Sequence, residues 1–292
     1  MNIKFRRFSE FLIEKAIFLS GIISILFVVL IFAFLLKEGL ALFKYVSVKD
    51  FIFGAEWYPI SEPPKFGIIS LIMGSVWVTA GAIIISVPIG IAAAIYISEI
   101  APRKIRGILK SGIEMLAAIP SVVIGFIGIT TLVPLVKNVF GLSTGLTALS
   151  GSIMLAFMAI PTIVSIAEDA FYSIPKRYKE AALALGATHW QTIWRVLIKA
   201  AFPGIVAASM LGIGRVIGET MAVMMITGNV AKIPNSIFDP VRTLTATIAA
   251  EMGEAVRGSD HYFALFAIGI VLFVITFLIN LIADIYINRE LK

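Results

Sequence analysis

Arg215 and Glu219, with Thr220 beside them, carry the clearest chemical potential in this sequence, because the two ions are the only charges that break the apolar stretch between Ala200 and Ala231. An arginine offers a planar fork of donors suited to an oxyanion. A carboxylate four residues on can neutralise that charge or accept a hydrogen bond from a protonated oxygen. In a helix starting at Pro203 and rising ~1.5 Å per residue, Arg215 lies about 18 Å along, close to the middle of a bilayer. A charge at that depth costs about 2.5–3.5 kcal/mol on the insertion scale, so it belongs on a bundle interior or a wet path with a partner nearby. Glu219 is the nearest candidate. The pair either pins helix packing or, with Thr220, lines a substrate path; an intramembrane pair is by default a functional hypothesis.

Around the arginine, Gly214 and Gly218 form a small-xxx-small pair that lets a neighbouring helix approach closely. General packing is the plainer reading, and contact with a second membrane subunit the sharper one. Other chemistry is scarce. With no cysteine, thiol catalysis and disulfides are excluded, with two histidines a His-based metal cluster is not expected, and no catalytic or metal site is expected. His189 and His261 have no partner evident from spacing. No Gly-x-x-x-x-Gly-Lys-Ser/Thr loop occurs, so the chain does not cradle ATP itself.

The elements that must hold these residues are membrane helices. Of 292 residues, 59% are hydrophobic and only 14% charged, against about 25% charged in soluble domains; mean hydropathy is +0.99. Charge-free runs long enough to cross a bilayer at about 20 residues each, plus the arginine-bearing stretch, predict spans at 16–36, 67–98, 116–136, 147–167, 203–228 and 262–284. The segments 1–15, 99–115, 168–202 and 285–292 then share one side, and 37–66, 137–146 and 229–261 the other, with a single permease-sized domain at about 67–284. The first run exceeds the usual signal-peptide core of roughly 7–15 residues, so it reads as an anchor that stays. Pro88, Pro120, Pro134 and Pro161 lie in or near spans, as kinked membrane helices tolerate.

Charge sets the expected orientation. Fifteen lysines and arginines, from Lys4, Arg6, Arg7 and Lys15 through the clusters at 103–110 and 176–199 to Arg289 and Lys292, fall on one side, and eight on the other. The positive-inside rule places both termini in the cytoplasm. The net charge of +6 is thereby a topology signal rather than a nucleic-acid footprint. On the opposite side, residues 37–65, with Trp57 and Tyr58, and residues 229–261, with a possible short helix over 243–256, read as a cap on the mouth or a docking surface for an external partner.

The inner loop 168–202 has its own punctuation. Pro175 suits a helix start, the residues 176–185 are strong helix formers, Gly186 marks a stop, and Thr188 with Gln191 spells a capping box for a second helix. Glu180-Ala181-Ala182, three residues, then Gly186 resembles the EAA loop of ABC-transporter permeases, the segment that docks on the ATP-binding subunit. Lys199 stands where that family usually has a proline, and Pro203 is expected to take over the start of the next helix.

The segment Gly212–Val223, GIGRVIGETMAV, is similar to the GETMAV-bearing segment of PstC-type permeases of phosphate ABC transporters. What that resemblance implies is an all-α integral membrane protein with six transmembrane helices of the type I ABC importer (MetI-like) architecture. It implies residence in the inner membrane and translocation of inorganic phosphate. The implied partners are a second permease of the PstA type, a dimer of ATP-binding subunits carrying ATP and Mg, and an external phosphate-binding protein; no cofactor is expected on this chain. Arg215, Glu219 and Thr220 would then line the substrate path, and Glu180, Ala181, Ala182 and Gly186 would couple to the ATPase. The alternatives are a sulfate or molybdate permease and a transporter-associated protein that signals phosphate status.

Overall fold

The computed structural model describes residues 3–290, and the side chains of residues 3–10, 283 and 286–290 fall outside the description. Lys4, Arg6, Arg7 and Arg289 of the topology count are among those side chains, and Lys292 lies outside the described residues. The element order is α1 (Ile3–Gly39), α2 (Val48–Phe53), β1 (Trp57–Tyr58), β2 (Lys65–Phe66), α3 (Ile69–Ile95), α4 (Arg103–Ala117), α5 (Ser121–Ile127), α6 (Val133–Phe140), α7 (Ala148–Tyr172), α8 (Lys176–Ala184), α9 (His189–Thr192), α10 (Ile198–Gly218), α11 (Met221–Ile226), α12 (Leu244–Glu251) and α13 (Asp260–Glu290). Wider π-turns at Tyr96–Ile100, Gly128–Leu132 and Ile193–Leu197 extend α3, join α5 to α6 and join α9 to α10. Six of the resulting helices are long and apolar enough to cross a membrane. The end where Arg103, Lys104, Lys176, Arg177 and Arg195 gather is the basic end below; the other, with the β1–β2 hairpin and α12, is the far end.

Helices α3 and α7 form the centre. Lipid tails give apolar helices no hydrophobic reason to associate, so small residues and interhelical hydrogen bonds hold them. A Cβ on Gly81 would sit 2.4 Å from Ser152 Oγ, and that hydroxyl donates to Val78 O across the interface at 3.2 Å. Ile163, fully buried, fills two further gaps: its Cγ2 lies 2.7 Å from where a Gly90 Cβ would be, and its Cγ1 2.5 Å from that of Gly212 on α10. Helix α1 stays outside, stacking Phe32 on Phe273 of α13 at 4.5 Å, with its other faces exposed as lipid-facing helices are.

Three expected spans differ in the structure. The third helix begins at Ser121, not at 116. Pro120, at φ −59° and ψ 137°, bars the preceding residue from helical geometry, so Met115 and Leu116 finish the amphipathic α4 instead. The fourth continues to Tyr172 through Glu168 and Asp169, because Lys110 of α4 donates to both carboxylates, at 2.6 and 2.9 Å. Those hydrogen bonds, Glu168 first, hold the Lys110 ammonium charged well above the usual lysine range. The fifth does not start at Pro203: the helix opens at His189, passes the π-turn Ile193–Leu197 and carries Pro203 in its interior. Membrane helices absorb such a proline when local π adjustments and neighbours satisfy the freed carbonyl.

At the far end the connections are ordered. A Trp57–Phe66 hairpin pair packs with Leu42, Phe51, Leu244 and Leu265 in one apolar cluster. Above it Glu251 of α12 accepts from Trp57 Nε1 at 3.0 Å and Arg242 Nη1 at 2.6 Å, and meets His261 Nε2 at 2.9 Å. His261 therefore has a partner, ten residues back, that spacing alone did not reveal. His189 is exposed.

Candidate functional site

Arg215 lies on the last turn of α10, and its expected partnership with Glu219 is not formed: among the described residues, no ion pair joins them. Instead Arg215 Nη1 donates to Thr162 Oγ1 of α7 at 2.8 Å, and Nη2 reaches Ala117 O, the end of α4, at 3.5 Å. The last carbonyls of a helix have no intrahelical partner and carry partial negative charge, which favours a cation there. One guanidinium thus ties three elements together.

The reason for the missing pair is a break in the helix. Glu219 leaves helical geometry at φ −71° and ψ 134°, and Thr220 follows at φ −121° and ψ −56°. A carboxylate can be one turn above an arginine only while the helix continues; here it turns forward. Glu219 Oε1 accepts from the backbone N–H groups of Thr220, Met221 and Ala222, at 3.1, 3.2 and 3.3 Å. These are the orphan donors of α11, and an anion at that positive end is favoured. The freed Glu219 carbonyl accepts from Thr245 Oγ1 of α12 at 2.9 Å, while Thr220 Oγ1 reaches back to Gly218 O at 3.3 Å. The result is a discontinuous membrane helix with its break stabilised from both sides.

Gly214 and Gly218 face open space: a Cβ added at either meets nothing within 4 Å. Close packing within this chain, the plainer sequence reading, is therefore not their role. Arg215, Glu219 and Thr220 are each part-exposed. A cleft of about 1030 Å³ lies elsewhere, at the far end between Trp57, Asn229, Arg242 and Glu251, and none of the three lines it.

At the basic end, Glu180 and Ala181 are exposed on α8 and Ala182 is buried. Gly186, at φ +83°, closes α8 in a left-handed cap that glycine adopts without strain: Ala187 N–H donates to Ala182 O and Gly186 N–H to Leu183 O. Thr188 and Gln191 then cap α9 reciprocally, at 3.2 and 2.9 Å. The expected corner of two helices around Gly186 is what the chain forms. Beside it stand the exposed Leu185, Trp190 and Trp194. One side chain of α8 reaches a membrane-spanning helix by hydrogen bond among the described residues: Lys179 Nζ donates to Glu99 Oε2 at 2.6 Å.

Spacing missed Thr162, Ala117 O, Thr245 and Glu99. Thr162, a hydroxyl beside Pro161 inside an apolar run, was the one carrying a visible signal.

Residues 86–292 match the model of the family described as binding-protein-dependent transport system inner membrane component. The chain is 44% identical over 237 residues, 81% of itself and 77% of its relative, to the probable ABC transporter permease protein YqgH of Bacillus subtilis. It is 39% identical to the phosphate transport system permease protein PstC of Mesorhizobium japonicum, over 82% of this chain and 78% of that one. It is 32% identical to a probable PstC of Methanocaldococcus jannaschii, over 97% and 95% of the two. Among solved structures, a chain of a bacterial alginate ABC transporter matches with a TM-score of 0.68 at 16% identity over 98% of both chains. A chain of the MetNI methionine ABC transporter matches at 0.61 and 20%, over 79% of this chain and 99% of that one. At those identities the structures establish the fold, that of type I ABC importer permeases in a multi-pass membrane protein. The chain belongs to the family of binding-protein-dependent transport system inner membrane components, whose members are permeases rather than enzymes.

Proposed function

We propose that this chain is one permease subunit of an ATP-driven importer of inorganic phosphate. The observation that carries the reading is likeness along most of the chain to proteins named PstC, joined to an arginine anchored beside a broken membrane helix. The partners are a second permease of the PstA type, a dimeric ATP-binding subunit that hydrolyses ATP with Mg, and an external phosphate-binding protein. The basic end and both termini lie in the cytoplasm, since the Lys and Arg excess falls there.

Arg215 spends two of its five N–H donors on Thr162 and Ala117. The others remain for an oxyanion, and the open face of Gly214 and Gly218 seats the second permease, which completes the path. Glu219 uses Oε1 for its three backbone donors; Oε2 accepts from the P–OH of hydrogen phosphate, a proton that sulfate lacks at neutral pH. Thr220 holds the break open between them. Exposed Glu180, Ala181, Leu185 and Trp190 form the surface on which the ATPase seats.

The test is ATP-dependent uptake of radiolabelled phosphate into proteoliposomes holding the whole complex, with sulfate and molybdate as competitors. Phosphate uptake resistant to both is expected. Uptake of either competitor in place of phosphate overturns the cargo.

A further inference from the structure

Helix α8 projects from the bundle with a single buried residue, Ala182. Such a helix, pushed or pulled by a partner, slides unless something fixes it to the membrane-spanning helices. Its one side-chain hydrogen bond to such a helix, among the described residues, is the Lys179–Glu99 ion pair at 2.6 Å, with side chains 37% and 13% exposed. Glu99 does not sit on ordinary helix. It belongs to the π-turn Tyr96–Ile100, closed by Ala101 N–H donating to Tyr96 O at 2.7 Å, and Arg106 of α4 donates to the Ser98 carbonyl in the same turn. The basic end of α3 is therefore gripped by charged side chains from two other helices.

From Glu99, α3 runs nine residues, about 13 Å, to Gly90. There Ile163 is clamped between Gly90 and Gly212, with no room for a Cβ at either glycine. Ile163 neighbours Thr162, the acceptor for Arg215, and Gly212 is three residues before Arg215 on α10. Close-packed interiors transmit displacement because they contain no slack. A contact of apolar surfaces resists compression far better than separation; an ion pair resists both.

We infer that Lys179 and Glu99 are positioning residues, the tie through which displacement of α8 reaches α3 and, by way of the Gly90–Ile163–Gly212 clamp, the Arg215–Thr162 bond. The inference rests on reading α8 as the ATPase-docking helix. It assigns the π-turn of α3 a mechanical role in coupling.

The chain has no cysteine, so Leu211→Cys, on an exposed position of α10, gives it a single thiol whose maleimide labelling reports motion near Arg215 without any substrate. In proteoliposomes holding the complete complex, ATP changes the labelling rate by at least about fivefold, the low end of ordinary coupling between sites. Lys179→Ala and Glu99→Gln each abolish that change, while Lys179→Arg and the exchanged pair Lys179→Glu with Glu99→Lys restore it. A merely stabilising contact would not show that pattern of loss and rescue. An ATP response that persists in both single variants overturns the inference. So does failure of both rescues, loss of ATPase co-purification in the single variants, or an unaltered complex indifferent to ATP. A complex that responds to ATP but takes up no phosphate overturns the phosphate reading and leaves the tie standing.

Discussion

Arg215 and Thr162, 53 residues apart in the chain, are joined by a 2.8 Å hydrogen bond that turns the guanidinium from the last turn of α10 toward α7. A charge-assisted bond of this kind contributes about 1.5–3 kcal/mol. It fixes the direction in which the remaining donors point.

Replacing Arg215 by Ala is expected to lower phosphate uptake by about 10–100-fold with the complex still assembled. Lys at the same position is expected to recover only part of the loss, since an ammonium lacks the fork that reaches Thr162 and Ala117 O together. Uptake assays on purified, assembled complexes check both.

Glu219 separates a structural from an electrostatic role. Gln keeps an acceptor for the N–H groups of Thr220, Met221 and Ala222, whereas Ala removes the cap at about 0.5–2 kcal/mol. Thermal unfolding in detergent is therefore expected to shift for Ala and little for Gln. If uptake falls with Gln while stability holds, the charge itself serves transport.

The glycines of α10 divide by what faces them. Gly212→Ala drives a Cβ to 2.5 Å from Ile163 Cγ1 and is expected to cost about 1–3 kcal/mol of stability. Gly214→Ala and Gly218→Ala meet nothing within this chain, and each is expected to gain up to about 1 kcal/mol from helix propensity. Gly214→Leu is expected to reduce co-purification with the second permease before it alters substrate recognition. Lost transport with assembly unchanged would assign these glycines to the path rather than to the interface.

Lys110 gives a pH prediction of definite sign. Its ammonium is stabilised in the fold chiefly by the hydrogen bond to Glu168, then by that to Asp169, so its pKa is raised. A raised pKa adds stability in full below the ordinary lysine value, and the gain is lost only as pH climbs through the folded one. Between about pH 6 and about pH 9 the contribution is constant. Lys110→Met leaves Glu168, 5% exposed, without its cation. Because Lys110 keeps 37% of its side-chain surface in water, which screens the pair, the expected cost is about 1–2 kcal/mol rather than that of a fully buried pair. Thermal melts across that pH range check it.

The six spans were legible because bilayer thickness imposes a run length that composition must meet. The α8–α9 corner was legible because Pro175, Gly186 and the Thr188–Gln191 box act on backbone within a few residues. The break at Glu219 was not: nothing local bars Glu or Thr from a helix, and the hydroxyl that donates to the freed Glu219 carbonyl belongs to Thr245, 26 residues away. Arg215–Thr162, Lys179–Glu99 and Trp57–Glu251 span 53, 80 and 194 residues. Periodicity reads neighbours at three and four positions, so pairs of that kind appear only once the helices are packed. Pro203 misled for a related reason: its preference for a first turn is local, and the surrounding helix overrode it.

Trp57 is 2% exposed, with its indole N–H on the Glu251 carboxylate, while Trp190 and Trp194 are 58% and 54% exposed beside α8. A fourth tryptophan, Trp77, is 36% exposed on α3, so the shielded indole at the far end and the exposed pair at the basic end become two distinct fluorophore populations once Trp77 is replaced by Phe. Loosening of the hairpin would red-shift the first, and seating of a subunit on the α8 corner would blue-shift the second. In the Trp77→Phe variant, events at the far end and at the basic end are therefore expected to be separable by wavelength without an added label.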